Sequence, residues 1–116
     1  GHNPTLLYQS KKDQVILLDA PGCFIGMIDV LNLSDESVKL EAGDRLLFVT
    51  DGIIEAKNLK RELYNNQRLI RFLQKNHRLS PQSMVFELLE DVVEYTKAAN
   101  PEDDRTILCV DYLGIE

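Results

Sequence analysis

The chain has 116 residues, 44% of them hydrophobic and 28% charged, which is typical of one globular domain or part of one. Its net charge of −6 excludes the basic surplus that nucleic-acid binding requires, so no nucleic-acid partner is expected. No segment resembles a signal peptide, and no apolar run approaches the roughly 20 residues of a membrane span.

Two cysteines, Cys23 and Cys109, lie among apolar neighbours and do not form a CxxC motif. This setting favours two buried thiols in a reducing cytosol over a disulfide. We therefore predict a cytoplasmic protein.

The first forty residues predict short strands. Residues 5–8 and 14–18 are mostly apolar and flank the polar loop 11–13, as in a hairpin. Residues 27–33 are compatible with a further short strand. Residues 37–40 alternate polar and apolar side chains, as a half-exposed strand does.

The central stretch is Gly43 to Ala56. After a Gly-Asp turn, residues 46–49 form an apolar run that suits a buried strand. The run ends at Asp51-Gly52, so a carboxylate lies where the strand gives way to a turn. Strand ends hold side chains firmly and often carry sites, but Asp-Gly is also a common turn dipeptide. Both roles remain open for Asp51.

Two helices follow the central stretch. Residues 66–76 carry apolar positions that suit one buried face. Ser80-Pro81 is a helix-start signal, and the second helix is expected to run to about Ala99. Its predicted core stripe is Val85, Leu88, Leu89, Val92, Val93 and Thr96.

An acidic loop with Asp103-Asp104 then leads into residues 106–110, a run that is apolar except at its first position. Strands, two helices and a last strand do not form a regular βαβ order. We predict an α/β sandwich with a largely antiparallel sheet that is covered on both faces.

Carboxylates flank two of the predicted strands. If the central and last strands are antiparallel neighbours, Asp51 and Asp103-Asp104 converge at one edge of the sheet. Converging carboxylates repel each other unless a proton or cation intervenes, and ligands made only of oxygen favour Mg²⁺ or Mn²⁺. Each candidate also has a structural interpretation. Asp103-Asp104 can be a solvated loop, His2 a hydrogen-bonding turn residue, and Glu55 a favourable charge near the start of a helical turn.

Several segments occur together in the order and spacing of a known family: Gly1-His2-Asn3-Pro4, the Gly22 to Gly26 loop, Gly43-Asp44, Thr50-Asp51-Gly52 with Glu55-Ala56, and Asp103-Asp104-Arg105-Thr106. They resemble the metal-dependent PPM-type serine/threonine phosphatases, in the bacterial branch of stage II sporulation protein E and the sigma-factor regulator phosphatases. The resemblance implies an α+β fold, an αββα sandwich with a two-metal Mn²⁺ or Mg²⁺ centre between its sheets.

The resemblance also implies roles for individual residues. Asp51 and Asp103 match the metal ligands, and their carboxylates are expected within roughly 4–7 Å of each other. Gly52, His2, Asp104 and Glu55 are expected to lie around these two ligands. The implied substrate is a phosphorylated regulatory protein, an anti-sigma-factor antagonist.

The chain also departs from the family pattern. The family's first metal-binding Asp pair precedes the Gly-His-Asn-Pro turn, so residues 1–116 resemble the C-terminal part of one phosphatase domain. Arg61 and Asn65 stand where the family often has glycines. We expect these residues alone to be inactive and to form a homodimer through exposed sheet edges. The rival functions are a catalytically silent binding module with the same fold and an unrelated small acidic domain.

Overall fold

The computed structural model describes residues 5–18, 30–33, 36–97 and 105–114. The strands in this part of the chain are β1 Thr5–Gln9, β2 Gln14–Leu18, β3 Val30–Leu33, β4 Glu36–Lys39, β5 Arg45–Val49 and β6 Ile107–Asp111. Four of them form an antiparallel sheet in the order β2-β1-β5-β6, and β3 pairs with β4 in a separate antiparallel sheet. The predicted hairpin is confirmed, a strand lies within 27–33, and the strand predicted at 37–40 is found one residue earlier, at Glu36–Lys39.

The helices of the same part are α1 Asp51–Ile54, α2 Asn65–Asn76 and α3 Pro81–Thr96. The start of α3 agrees with the prediction, because the Ser80 hydroxyl accepts a hydrogen bond from the Ser83 N–H at 3.2 Å and Pro81 follows it. The predicted end near Ala99 is wrong. Lys97 leaves the helical conformation with φ 52°, although its N–H still donates to the Val93 carbonyl at 2.9 Å.

The loop between α1 and α2 is tightly hydrogen-bonded. The Asn58 side-chain oxygen accepts from the N–H groups of Lys60 and Glu62, both at 2.9 Å. Arg61 and Asn65 adopt φ values of 65° and 64°, in the left-handed region that glycine favours. The two positions where the family often has glycine therefore keep the backbone conformation that a glycine would adopt.

One face of the large sheet packs against α2 and α3. Leu6, Tyr8, Leu47 and Val49 point to this side, where α2 contributes Leu69 and Leu73. From α3 the buried residues are Met84, Leu88, Val92 and Thr96. The predicted stripe was therefore too wide: Leu89 and Val93 are 39% and 47% exposed. A helix resting on one sheet buries one row of residues spaced four apart and leaves the neighbouring row outside.

The opposite face carries a second buried cluster of Leu7, Leu18, Leu40 and Leu46. Strands β1 and β5 are thus buried on both sides, as their unbroken apolar runs predict. Strand β6 is not, because Leu108 is 55% exposed. The antiparallel α+β architecture is confirmed, with one element more than expected, the four-residue α1. None of the helices in the described part of the chain combines the length and apolarity that spanning a membrane requires.

Candidate functional site

Strand β5 ends at a residue that is fastened to the start of β6. The Thr50 N–H donates to the Thr106 carbonyl at 3.1 Å, and the Thr106 N–H donates to the Thr50 hydroxyl oxygen at 2.9 Å. These bonds continue the β5–β6 ladder beyond the Val49–Ile107 pair. The segment that ends in Asp51-Gly52 is therefore joined to the segment that begins with Asp103-Asp104.

Asp51 is the first residue of α1, so the predicted turn is the first turn of a short helix. Thr50 precedes it in extended conformation, and its carbonyl accepts from the Ile53 N–H at 3.0 Å. Ile53 is fully buried in the helix-side core and Gly52 is buried beside it. Asp51 itself is partly buried. The buried Ile53 side chain thus fixes the backbone two residues from Asp51, whose carboxylate lies at this edge of the sheet, called the rim below.

The strand arrangement places Thr5, Asp51 and Thr106 at the same end of the sheet. Thr5 pairs with Phe48 at the same end of the sheet, and His2 precedes Thr5 by three residues. Asp103 precedes Thr106 by three residues, which can span at most about 11 Å. The premise that β5 and β6 are antiparallel neighbours is confirmed. His2, Asp103 and Asp104 lie outside the described residues, so the Asp51–Asp103 separation stays a prediction.

Glu55 occupies a different position from the one expected. It follows α1 as its C-cap, with its N–H donating to the Asp51 carbonyl at 2.8 Å, and its side chain is exposed. A carboxylate at the end of a helix gains nothing from the helix dipole, so the proposed stabilisation at a helix start is wrong for Glu55.

The donor chemistry at the rim fits a hard cation but is incomplete within the described residues. In the ranges given above, no group of three or more His, Cys, Asp or Glu side chains could hold a metal ion. Asp51 supplies carboxylate oxygens, the ligand type that Mg²⁺ and Mn²⁺ prefer. Any metal site here must therefore take its other oxygen ligands from residues beyond those described, and Asp103 is close enough in sequence to Thr106 to be one of them.

The opposite end of β5 carries charged residues that the sequence analysis missed. Arg45 donates to both carboxylate oxygens of Asp111, Nε at 2.6 Å and Nη2 at 3.0 Å, and its Nη1 donates to the His77 carbonyl at 3.3 Å. The hydrogen bond with Asp111 raises the pKa of Arg45 above its ordinary value. The carboxylate of the adjacent Asp44 accepts from the N–H groups of Ser10 at 3.0 Å and Glu41 at 2.9 Å. The available signal was a charged Asp-Arg pair directly before a run predicted to be buried.

Cys109 is a free thiol packed beside the helix-side core. Burial raises its pKa to about 11, so it stays protonated at neutral pH. The predicted free thiol is confirmed for Cys109, which is partly and not fully buried, while Cys23 lies outside the described residues.

Sequence comparison provides evidence independent of this geometry. A family model described as Stage II sporulation protein E (SpoIIE) matches residues 1–113. Stage II sporulation protein E of Bacillus subtilis (strain 168) is 31% identical over 111 residues, 95% of this chain and 13% of that protein. Protein IcfG of Synechocystis sp. is 24% identical over 111 residues, 95% of this chain and 17% of that protein.

Solved structures give the same result. The phosphatase domain of the cell fate determinant SpoIIE from Bacillus subtilis, presoaked with Mn, aligns with a TM-score of 0.69 at 28% identity, over 96% of this chain and 47% of that one. The SiaA-PP2C domain of Pseudomonas aeruginosa aligns with a TM-score of 0.74 at 19% identity, over 95% and 43%, and supports the fold alone. The chain spans about half the length of these solved domains. The resemblance drawn from the motifs is confirmed, and the chain belongs to the SpoIIE family.

Proposed function

We propose that the chain is the C-terminal part of a metal-dependent protein phosphatase domain. The complete domain hydrolyses phosphoserine or phosphothreonine on a bacterial regulatory protein, an anti-sigma-factor antagonist. The observation that carries the proposal is the pair of Thr50–Thr106 hydrogen bonds. They join the two segments whose carboxylates, Asp51 and Asp103, match the metal ligands of the family.

Asp51 and Asp103 are the residues that would hold Mn²⁺ or Mg²⁺. Bound there, such ions supply a water of lowered pKa and polarise a phosphoryl oxygen. The chain's own contribution is rigidity. Thr50 fixes the backbone before Asp51 by its bonds to Thr106, and the fully buried Ile53 fixes the backbone after it. In this proposal Gly52, His2, Asp104 and Glu55 flank the ligands.

The relatives support the reaction class and the metal. The solved domain that aligns at 28% identity is described as a phosphatase domain and was presoaked with Mn. Residues 1–116 align with only 47% of that domain. We therefore propose that they lack part of the ligand set and hydrolyse no phosphoester alone.

The experiment compares two carboxylates at opposite ends of the sheet. A complete phosphatase domain that contains this chain is titrated with Mn²⁺ by calorimetry and assayed with an aryl phosphate and a phosphoserine peptide. Asp51→Asn should weaken Mn²⁺ binding about tenfold or more and abolish hydrolysis. The control Glu41→Gln, whose exposed side chain pairs with Lys11 at 3.7 Å, should change neither.

Each contrary result has a distinct meaning. Unchanged Mn²⁺ affinity in Asp51→Asn would contradict the ligand assignment. A complete domain that neither binds Mn²⁺ nor hydrolyses phosphoester is the silent binding module. Full activity of the 116-residue chain, lost in Asp51→Ala, would contradict the proposed inactivity of this part alone.

A further inference from the structure

Helix α2 and the residues after it form a basic strip. Residues 63–86 contain no Asp or Glu. The exposed cations of the strip are Arg68, Arg71, Lys75 and Arg78. Spacings of three and four residues bring Arg68, Arg71 and Lys75 close to one another on α2, and Arg78 follows the end of the helix. In a chain of net charge −6, this is a strong local concentration of positive charge.

Helix α3 carries the opposite charge. Residues 79–96 contain no Lys or Arg. The acidic strip of α3 consists of Glu87, Glu90, Asp91 and Glu94. Beside it lie Phe86, Leu89 and Val93, which are 60%, 39% and 47% exposed. The outer side of α3 is therefore acidic with an apolar margin.

The basic strip and the acidic strip lie on either side of one groove. Both helices pack on the same face of the large sheet, α2 against β1 and β2 and α3 against β6. Between them lies a groove of about 410 Å³ lined by Arg68, Arg71, Phe72, Lys75, Asn76 and Asp91. Across the described residues no ion pair joins α2 to α3. Asp91 instead accepts from the Tyr64 hydroxyl at 2.5 Å, and Arg68 stacks over the Tyr95 ring at 4.3 Å.

We propose that this α2–α3 face binds the α2–α3 face of a second copy of the chain. If the two copies are related by a two-fold axis that runs along the groove, the basic strip of each copy lies over the acidic strip of the other. Each basic strip then faces an acidic strip, so the charges of both copies are paired without a third molecule. The face carries four cations and four carboxylates, so it complements itself, whereas a purely acidic partner would match only half of it. Phe86, Leu89 and Val93 add apolar contact at the margin.

The size of the face predicts a weak dimer. Helices of 12 and 16 residues are about 18 and 24 Å long, so the two together offer less than the roughly 800 Å² per partner of a standard interface. Association should therefore be measured at protein concentrations up to about 1 mM.

Charge reversal tests the proposal by sedimentation equilibrium. The wild-type chain should dimerise, and both Arg71→Glu/Lys75→Glu and Glu90→Lys/Glu94→Lys should be monomeric. An equimolar mixture of the two variants should form the heterodimer again, because each then carries the charges that the other lost. Circular dichroism checks that both variants keep the fold, and successful mixing excludes unfolding as the cause of dissociation.

Other outcomes overturn the proposal. A monomeric wild type at 1 mM, a charge-reversed variant that still dimerises, or a mixture that stays monomeric would each do so. Leu108→Lys tests association through the edge strand β6, and this exposed substitution should leave the dimer intact. Its dissociation would assign the dimer to sheet edges. A monomeric wild type that binds a poly-glutamate peptide through Arg71 and Lys75 would assign the face to a foreign acidic partner.

Discussion

The two ends of β5 carry the same sequence signal and use it differently. Gly43-Asp44 precedes the strand and Asp51-Gly52 follows it, so each end has one aspartate beside one glycine. Asp44 is 2% exposed and accepts two backbone N–H groups, while Asp51 is partly exposed at the first turn of α1. The two aspartates therefore differ in burial, and we expect a structural role for Asp44 and a role in metal binding for Asp51.

The Arg45 end, made of Tyr8, Asp44, Arg45, His77 and Asp111, is closed by contacts within the protein. Arg45 binds Asp111 and the His77 carbonyl, and the His77 ring stacks on Tyr8 with centroids 4.4 Å apart. At the Asp51 end, Thr50 and Thr106 are joined by one backbone bond and one bond to the Thr50 hydroxyl, and Asp51 is partly exposed. We expect substitutions at the Arg45 end to affect stability and substitutions at the Asp51 end to affect metal binding.

The largest stability loss is expected for Arg45→Met. The Arg45 side chain is 8% exposed and that of Asp111 is 33% exposed, so the substitution leaves a partly buried carboxylate without its cation. We expect the free energy of unfolding to fall by about 2–3 kcal/mol, below the full cost of breaking a wholly buried pair because water reaches Asp111. Urea denaturation at pH 7 measures it.

Arg45→Lys is the matched control. It keeps the charge but cannot donate two parallel bonds to Asp111, so an intermediate loss is expected. A loss below about 0.5 kcal/mol in Arg45→Met would mean that the pair behaves as a surface ion pair and that this end is not closed.

Asp44→Asn is expected to cost about 2 kcal/mol. Both carboxylate oxygens of Asp44 accept backbone N–H groups, and an amide replaces one of them with an NH₂ that cannot accept. One partly buried N–H donor, on Ser10 or Glu41, then has no acceptor. Thermal unfolding compared with Asp44→Ala, which removes both acceptors and should cost more, provides the check. Equal losses in the two variants would show that a single acceptor oxygen accounts for the whole contribution of Asp44.

The sequence predicted most of the sheet, because apolar runs bounded by turn residues are a local signal. The runs of β1, β2, β5 and β6 were each identified, and the pairing of β5 with β6 was expected from their flanking motifs. The Arg45–Asp111 pair was not predicted, because its members are 66 residues apart and only the strand register, Arg45 opposite Asp111, brings them together.

Helical periodicity predicted that the apolar residues of α3 form one stripe, but not which residues of that stripe are buried. Val93 and Val92 look equivalent in sequence, yet Val92 is fully buried and Val93 is 47% exposed. The difference depends on how many surfaces the helix contacts, which is a tertiary property. For the candidate site, the sequence predicted Asp51 and the edge of the sheet where it lies. The Thr50–Thr106 hydrogen bonds could not be predicted, because they depend on the register of β5 against β6.

Tyr8→Phe should have a smaller effect that depends on pH. The Tyr8 hydroxyl donates to Asp13 Oδ1 at 2.6 Å, and burial followed by this bond raises the pKa of Tyr8 from 10.0 to about 12. Its contribution is therefore complete below pH 10 and is lost as the pH rises from 10 to 12. At pH 7 we expect Tyr8→Phe to cost about 1 kcal/mol.

The deficit of Tyr8→Phe relative to the wild type should shrink once the pH exceeds 10 and disappear before pH 12, because only the wild type has a Tyr8 hydroxyl to ionise. Urea denaturation at pH 8, 10 and 11 tests it. Tyr64, whose pKa is also raised by burial, is present in both proteins and cancels in the difference. A constant deficit over this range would show that Tyr8 ionises as readily in the folded chain as in the unfolded one.

The smallest stability change is expected for Asp51→Asn, the same substitution that is costly at Asp44. The amide keeps one acceptor oxygen and nearly the same shape, and Asp51 is partly exposed, so loss of its charge at the first turn of α1 should cost less than about 1 kcal/mol. Thermal unfolding of the metal-free chain measures this term without any contribution from bound ions. A loss as large as that of Asp44→Asn would make Asp51 a structural residue like Asp44, and the contrast between the two ends of β5 would then fail. A small loss together with weakened Mn²⁺ binding in the complete domain would identify Asp51 as a residue that serves the ligand more than the fold.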